Sequence, residues 1–230
     1  MRSTEPVDDF RDFGITAFTT TRAGGSFNTA TNEAVSSVMH RWSSLRDKLL
    51  TLAPRLATAT QVHGDRIVAH TGEWSGWLRS TEADGHFAPS RGTAMAVTVA
   101  DCVPVFLAHP SGASAILHAG WRGTVAHILG CGVEVFRSRG FAAEDLRAHL
   151  GPAICGRCYE VSPDVYGLLT GKHTEVAARV DLREVLASQA SKLGVRSIST
   201  SHLCTRCDND RFFSHRCGDD GRQLGVIVAS

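Results

Sequence analysis

Almost no net charge remains on this chain: 24 Lys and Arg stand against 23 Asp and Glu, for a formal charge of +1. That balance removes the electrostatic case for a nucleic acid or an anionic membrane as the main partner. Long apolar runs are missing too. No stretch approaches the ~20 residues that a membrane-spanning helix needs. The opening residues MRSTEPVDDF are acidic and lack the apolar core of a secretory signal, so the expected address is the cytoplasm. There is no internal repeat, low-complexity tract or linker-like shift in composition. Neither a P-loop nor a dinucleotide fingerprint occurs, which excludes two common glycine-rich phosphate cradles.

What is present is an ordinary globular composition, 43% hydrophobic and 20% charged over 230 residues. That is enough apolar material for one sizeable core with no need of a metal to fold. Residues 1–230 are therefore expected to form a single domain. The cysteine content departs from this plain picture. Seven cysteines, an odd number, in a reducing compartment argue against a disulfide framework and for thiols with chemical or metal-binding roles.

Strands and helices are interleaved without regular βαβ alternation, which predicts an α+β fold. Short apolar runs bounded by turn residues predict strands at Ile15–Thr20, Thr60–His63, Arg66–Val68, Arg147–Leu150 and Leu224–Ala229. Three more such runs, Ala94–Val99, Val103–Ala108 and Ala113–Leu117, crowd into the stretch from Thr93 to Gly123. The His-Pro-Ser-Gly turn between the last two predicts a hairpin. Helical spacing of Val35, Val38, Met39, Trp42, Leu45 and Leu49 predicts an amphipathic helix over residues 32–50. Thr124 reads as the cap of a helix that turns Val125, Ile128, Leu129, Val133 and Phe136 inward. Ser162-Pro163 starts another, and Asp181 with Glu184 forms a capping box for a third ending at Gly194. Residues 71–92, rich in Gly, Ser and Thr, read as a long loop.

Chemistry concentrates at the edges of these runs. His63, Cys102 and His118 each sit where a predicted strand gives way to a turn. His₂Cys is a catalytic zinc set with an open fourth position. With a distant Met such as Met95, the same three residues suit copper. Cys102 could equally act as a nucleophile with His118 as its base and Asp101 nearby; the residue types alone leave these readings open. Cys155-x-x-Cys158 and Cys204-x-x-Cys207 form two CxxC pairs, but the gap between them is much longer than in a compact zinc ribbon. Free thiols near one another are the favoured expectation. Arg22 beside two glycines, and Arg122 between Trp121 and Gly123, are candidates for holding an anion.

Several blocks together resemble one family: Gln61-Val-His-Gly64, Ala83-Asp-Gly85, Thr98-Val-Ala-Asp-Cys-Val-Pro-Val105 and His118-Ala-Gly-Trp-Arg-Gly123. Gly151-Pro-Ala-Ile154, Cys158-Tyr-Glu-Val161 and Cys204-Thr-Arg-Cys207 followed by Arg211-Phe-Phe-Ser214 add to the match. These blocks look like the YfiH-like family. It has been labelled multicopper polyphenol oxidase (laccase) and peptidoglycan-editing factor, and is associated with purine nucleoside phosphorolysis and adenosine deamination. The resemblance runs from about residue 15 to the end of the chain.

The resemblance implies a single α+β domain of two packed mixed β-sheets flanked by helices, a YfiH/CNF-like architecture, as a monomer or homodimer. It implies one zinc ion, with copper as the second choice, on His63, Cys102 and His118. The implied partners are adenosine, inosine, guanosine or methylthioadenosine, with phosphate as co-substrate, and neither nucleic acid nor membrane. Asp101, Cys102 and Arg122 would then be catalytic, Asp101 carrying the proton in deamination. Arg22, Asn28 and Gln61 would bind substrate or phosphate. Set against this enzyme are a cysteine hydrolase or amidase editing cell-wall precursors through Cys102, and a non-catalytic partner of the wall-synthesis machinery. A copper polyphenol oxidase is a further alternative, although the His-x-His pairs of a laccase-type trinuclear centre are absent. One departure stands out: the segment after Arg22-Ala-Gly-Gly25 is shorter than the family's and lacks its Gly-Asp-Asp, although Arg22 and Asn28 still match.

Overall fold

The most apolar stretches of the sequence become the middle strands of two sheets. The computed structural model describes residues 2–230. Numbered along the chain, its strands begin with β1 (Thr4–Val7), β2 (Ile15–Thr20), β3 (Arg55–Ala59), β4 (Ile67–Ala69) and β5 (Gly76–Ser80). Next come β6 (Gly85–Ala88), β7 (Thr93–Val99), β8 (Val103–Ala108) and β9 (Ser114–Ala119). The set is completed by β10 (Arg147–Leu150), β11 (Glu160–Val161), β12 (Ala178–Arg179), β13 (Ser197–Thr200) and β14 (Gln223–Ala229). The helices are α1 (Val35–Leu50), α2 (Trp121–Val125), α3 (Ile128–Arg137), α4 (Pro163–Thr170) and α5 (Leu182–Lys192).

Two six-stranded sheets have the orders β1-β2-β14-β7-β3-β5 and β13-β10-β8-β9-β6-β4, and β11 pairs with β12 apart from them. Both sheets are mixed, since β3 runs parallel to β5 and β7, and β10 parallel to β13, among antiparallel neighbours. The faces follow the period of two along each strand. In β7, Met95, Val97 and Val99 point into the core between the sheets, where they meet Phe106, Ile116 and Ile227. Ala94 and Ala96 point the other way, against Val38, Trp42 and Leu49 of α1. In β8, Val103, Val105 and Leu107 face α3 and α5 through Ile128, Val133, Phe136 and Leu186. The protein is thus a helix–sheet–sheet–helix stack, and its central strands are apolar on both faces because both are covered. This is the single mixed α+β domain expected. Among the described residues no helix is long and apolar enough to cross a membrane.

Several elements differ from expectation, each through a contact far away in sequence. The region 71–92 is not one loop, since it holds β5 and β6. In β5, Trp77 stacks on Trp42 at 5.0 Å between ring centroids and donates Nε1–H to Thr58 Oγ1 at 2.9 Å. That anchoring overrides a composition poor in strand formers. Thr60–His63 is not a strand; β3 ends at Ala59 and the chain turns. Short edge or surface strands β1 and β13, and β3 itself, have no counterpart in the expectation. Thr124 lies inside α2 rather than capping a helix, its hydroxyl donating to the Gly120 carbonyl at 2.8 Å. His127, with φ at 61°, separates α2 from α3. The predicted cap at Asp181 does form, its carboxylate accepting from the Arg183 N–H at 2.9 Å.

Phe106 is fully buried between the sheets. Phe106→Ala is expected to lower the free energy of unfolding by about 3–5 kcal/mol. Leu168→Ala, at a side chain that is 61% exposed, is expected to change it by less than about 0.5 kcal/mol. Urea denaturation of the two variants side by side checks both.

Candidate metal centre

At one end of the stack, turns from both sheets converge. His63 lies in the turn after β3, Cys102 in the short β7–β8 connection, and His118 near the end of β9. Pairing of β8 with β9 sets Pro104 opposite His118 and Val103 opposite Ala119, so Cys102 comes beside Gly120. A Cβ at Gly120 would stand 2.9 Å from Cys102 Sγ and 3.3 Å from His63 Cδ2; glycine alone admits this approach. The outcome is a His₂Cys cluster whose donor atoms all lie within 4.8 Å of one another. The two imidazole rings meet edge to face, their centroids 4.8 Å apart.

The group that assembles this cluster is Asp84, in the turn before β6 and fully buried. Its carboxylate accepts N–H bonds from Val62 at 3.1 Å, His63 at 2.9 Å and Gly64 at 2.8 Å. It also accepts the Nδ1–H of His118 at 2.8 Å. One carboxylate therefore shapes the turn carrying the first imidazole and fixes the tautomer of the second, leaving His118 Nε2 for the cluster. Burial alone would raise the Asp84 pKa, but His118 and the N–H groups outweigh it and hold the carboxyl below the usual carboxylate range. His63 and Asp101 both sit at positive φ, 62° and 80°. Two non-glycine residues in the left-handed region mark backbone held in place by its surroundings, a feature concentrated at functional sites.

The electrostatics suit a divalent cation. Burial would push the Cys102 thiol up, yet the charge of His118 and hydrogen bonds from His118 and His63 bring it down to about 6. Burial would lower His118, but the Cys102 thiolate and Asp84 raise it to about 9. The pair is thus drawn towards thiolate and imidazolium, and a bound ion would replace the imidazolium proton. Two imidazoles and a thiolate leaving a fourth position open are the donor set of a catalytic zinc site, and they also fit copper. Met95, considered as a distant copper ligand, is packed in the core between the sheets.

The other expected residues divide. Asp101 is at the cluster's rim, with its carboxylate tied on both oxygens: Thr205 Oγ1 donates to Oδ1 at 2.6 Å and the Arg216 N–H to Oδ2 at 2.8 Å. Each oxygen keeps a second lone pair. Arg122 is exposed, with its guanidinium stacked on Trp121 at 4.3 Å. Gln61 is beside the site, but its amide clamps Thr98, accepting from N–H and Oγ1 at 2.7 Å each and donating to the carbonyl at 2.8 Å. Arg22 is engaged with Asp219 Oδ2 at 2.6 Å and the Asn209 carbonyl at 2.8 Å, over the Phe213 ring. Asn28 donates to the Asp220 carbonyl at 2.8 Å. The last three thus hold protein segments in place.

Two residues escaped the sequence reading. Asp84 was visible only inside an Ala-Asp-Gly turn, and nothing in its spacing announces a partner at His118. Tyr159 is a buried phenol whose pKa is pushed up to about 12, first by burial and then by the Cys102 charge. Arg216 lies over its ring at 4.8 Å. The Tyr159 phenol is thus a protonated donor within reach of the Cys102 charge.

The family profile described as multi-copper polyphenol oxidoreductase laccase matches residues 16–230. A purine nucleoside phosphorylase of Mycobacterium tuberculosis is 36% identical over 233 residues, covering 93% of this chain and 91% of that protein. The purine nucleoside phosphorylase YfiH of Escherichia coli is 32% identical over 166 residues, covering 68% and 66% respectively. The crystal structure of the hypothetical protein YfiH from Bacillus licheniformis matches with a TM-score of 0.88 at 27% identity, covering 100% of this chain and 97% of that one.

Asp84→Asn keeps a hydrogen-bond acceptor but removes the charge that orients His118. It is expected to weaken metal binding at this site by roughly 10–100-fold, read by competition with a chelator. Binding should also weaken as the pH falls through about 9, where His118 takes up the proton the ion must displace. It should weaken further below about 6, where the Cys102 thiolate regains its proton.

Proposed function

The chain belongs to the YfiH-like family, and on that premise we propose that it is a purine nucleoside phosphorylase whose reacting centre is the His63–Cys102–His118 cluster. The observation that carries this reading is the cluster itself, a His₂Cys set with His118 buried, Cys102 half-buried and His63 exposed, in a chain 36% identical to a protein named for that activity. The proposed substrates are adenosine, inosine, guanosine and methylthioadenosine with inorganic phosphate, and adenosine deamination is proposed as a second activity.

Phosphorolysis breaks the bond between purine nitrogen and the sugar's C1′ and joins a phosphate oxygen to that carbon. The protein must hold a dianion against the sugar and supply a hydrogen bond or proton to the departing base. Arg122 is assigned the phosphate, since its exposed guanidinium, stacked on Trp121, lies in the segment that follows His118. Arg216 is the second cation, close above Tyr159. The Tyr159 phenol, kept protonated by burial, is a donor to the leaving purine. Asp101 is assigned proton transfer in deamination, using the lone pairs that Thr205 and Arg216 leave available. Arg22, Asn28 and Gln61 enter as residues that keep the rim in shape. The ion proposed for the cluster is zinc, which when bound supplies Lewis acidity, softened by the thiolate charge.

A second reading is favoured by the laccase description of the family profile: the same donors holding copper for phenol oxidation. Purified protein incubated with inosine and phosphate separates the two. The expected result is hypoxanthine with ribose 1-phosphate, lost in Cys102→Ala. Arg122→Ala should raise the KM for phosphate by roughly 10-fold or more, the loss of one charge-assisted contact. Copper content with phenol oxidation, or release of muropeptide fragments without nucleoside cleavage, would overturn the proposal.

A further inference from the structure

The reading above leaves the four cysteines of the CxxC pairs without a role. The fold brings them together across 49 residues of sequence: Cys158 and Cys207 have their sulfurs 3.4 Å apart. The sulfurs of Cys155, Cys158, Cys204 and Cys207 all lie within 4.8 Å of one another. All four are free thiols, and 3.4 Å is far beyond a disulfide bond of about 2.05 Å. It is close to the sulfur–sulfur spacing of about 3.8 Å that tetrahedral Zn–S bonds of about 2.3 Å impose.

The surrounding backbone is built for thiolates. Cys204 Sγ accepts N–H bonds from Cys155 at 3.3 Å and from Cys207 at 3.4 Å. The first of these crosses from one pair to the other. The two pairs are themselves docked, with Ala153 bridged to Cys204 and the Thr205 N–H donating to the Ala153 carbonyl at 3.1 Å. Asp181 Oδ2 fixes the first turn by accepting from the Gly156 N–H at 3.0 Å. Each pair also reads Cys-x-Arg-Cys, with Arg157 and Arg206 in the same place. Four neutral thiols have no need of flanking cations, whereas four thiolates around a divalent ion carry a net charge of two minus.

We propose that Cys155, Cys158, Cys204 and Cys207 bind a second zinc ion in a closed four-thiolate site, distinct from the His63–Cys102–His118 cluster. Its place in the fold gives it a purpose. Residues 201–222 contain no helix or strand longer than a single 3₁₀ turn at His215–Cys217. This irregular segment nevertheless supplies the Thr205 hydroxyl and Arg216 N–H that hold Asp101, and the Asp219 carboxylate that holds Arg22. An ion joining Cys204 and Cys207 to the 155–158 turn ties that segment to the sheet edge beside Asp101, whose carbonyl accepts the Ile154 N–H at 3.1 Å. The site is structural, closed to substrate, and independent of which reaction the other cluster performs.

Elemental analysis of the full chain, purified without chelator, tests this. The expected zinc content is two equivalents in the wild type, falling to one in Cys102→Ala and to one in the Cys158→Ser/Cys207→Ser double variant. Cobalt exchanged into Cys102→Ala should show the thiolate charge-transfer and tetrahedral ligand-field bands of a four-sulfur site, a readout that does not require the double variant to fold. Loss of all zinc on Cys102→Ala would overturn the proposal, as would iron in place of zinc or a Cys158–Cys207 disulfide in the freshly isolated protein. Absence of nucleoside cleavage would bear on the other cluster and leave the zinc count unchanged.

Discussion

A single buried carboxylate holds the candidate centre together. Asp84 accepts from three consecutive backbone N–H groups and from His118, so it takes four donors while itself fully buried. A charge of that kind is costly to bury unless every lone pair finds a partner. Here the partners are the turn that carries one candidate ligand and the imidazole that is another. Removing the charge would therefore release both sheets' contributions to the candidate cluster at once.

The two-sheet stack explains why such a turn can be held so tightly. His63 comes from a turn of the first sheet and His118 from a strand of the second, while Cys102 sits on the connection that passes from one to the other. The candidate ligands are thus fixed to elements whose strands are buried on both faces, and rigid placement is what a coordination site requires. The left-handed backbone at His63 and Asp101 is sustained by the same packing. On the far side, the C-terminal segment closes over Asp101 through Thr205 and Arg216. An irregular segment needs an anchor to do this, and the four-cysteine cluster lies at its root.

Family membership and the observed donor set are complementary. The profile's laccase description and the relatives' phosphorylase names point to different reactions. Arg122 stacks on Trp121, Arg216 lies over the Tyr159 ring, and the Tyr159 phenol is held protonated by burial and by the Cys102 charge. Cationic and phenolic donors of this kind suit an oxyanion and a leaving base better than they suit a phenol ring. The proposal of phosphorolysis follows from that chemistry as much as from the names.

Local patterning in the sequence was enough to identify β2, β8, β10, most of β7, β9 and β14, and the helices α4 and α5, because their periods and caps depend on neighbours in the chain. It was also enough to single out His63, Cys102 and His118 as ligand types at strand edges. The strands β5 and β6 were hidden, since Trp77 acquires its reason to be in a strand only from Trp42 and Thr58. The protein partners of Gln61, Arg22 and Asn28 were hidden for the same reason: a polar side chain's partner is a tertiary fact. Likewise, only the fold could reveal that Asp84 joins two ligands, or that two CxxC pairs in different elements share one point in space. Periodicity and capping are written along the chain, whereas a site's geometry arises where distant parts of the chain meet.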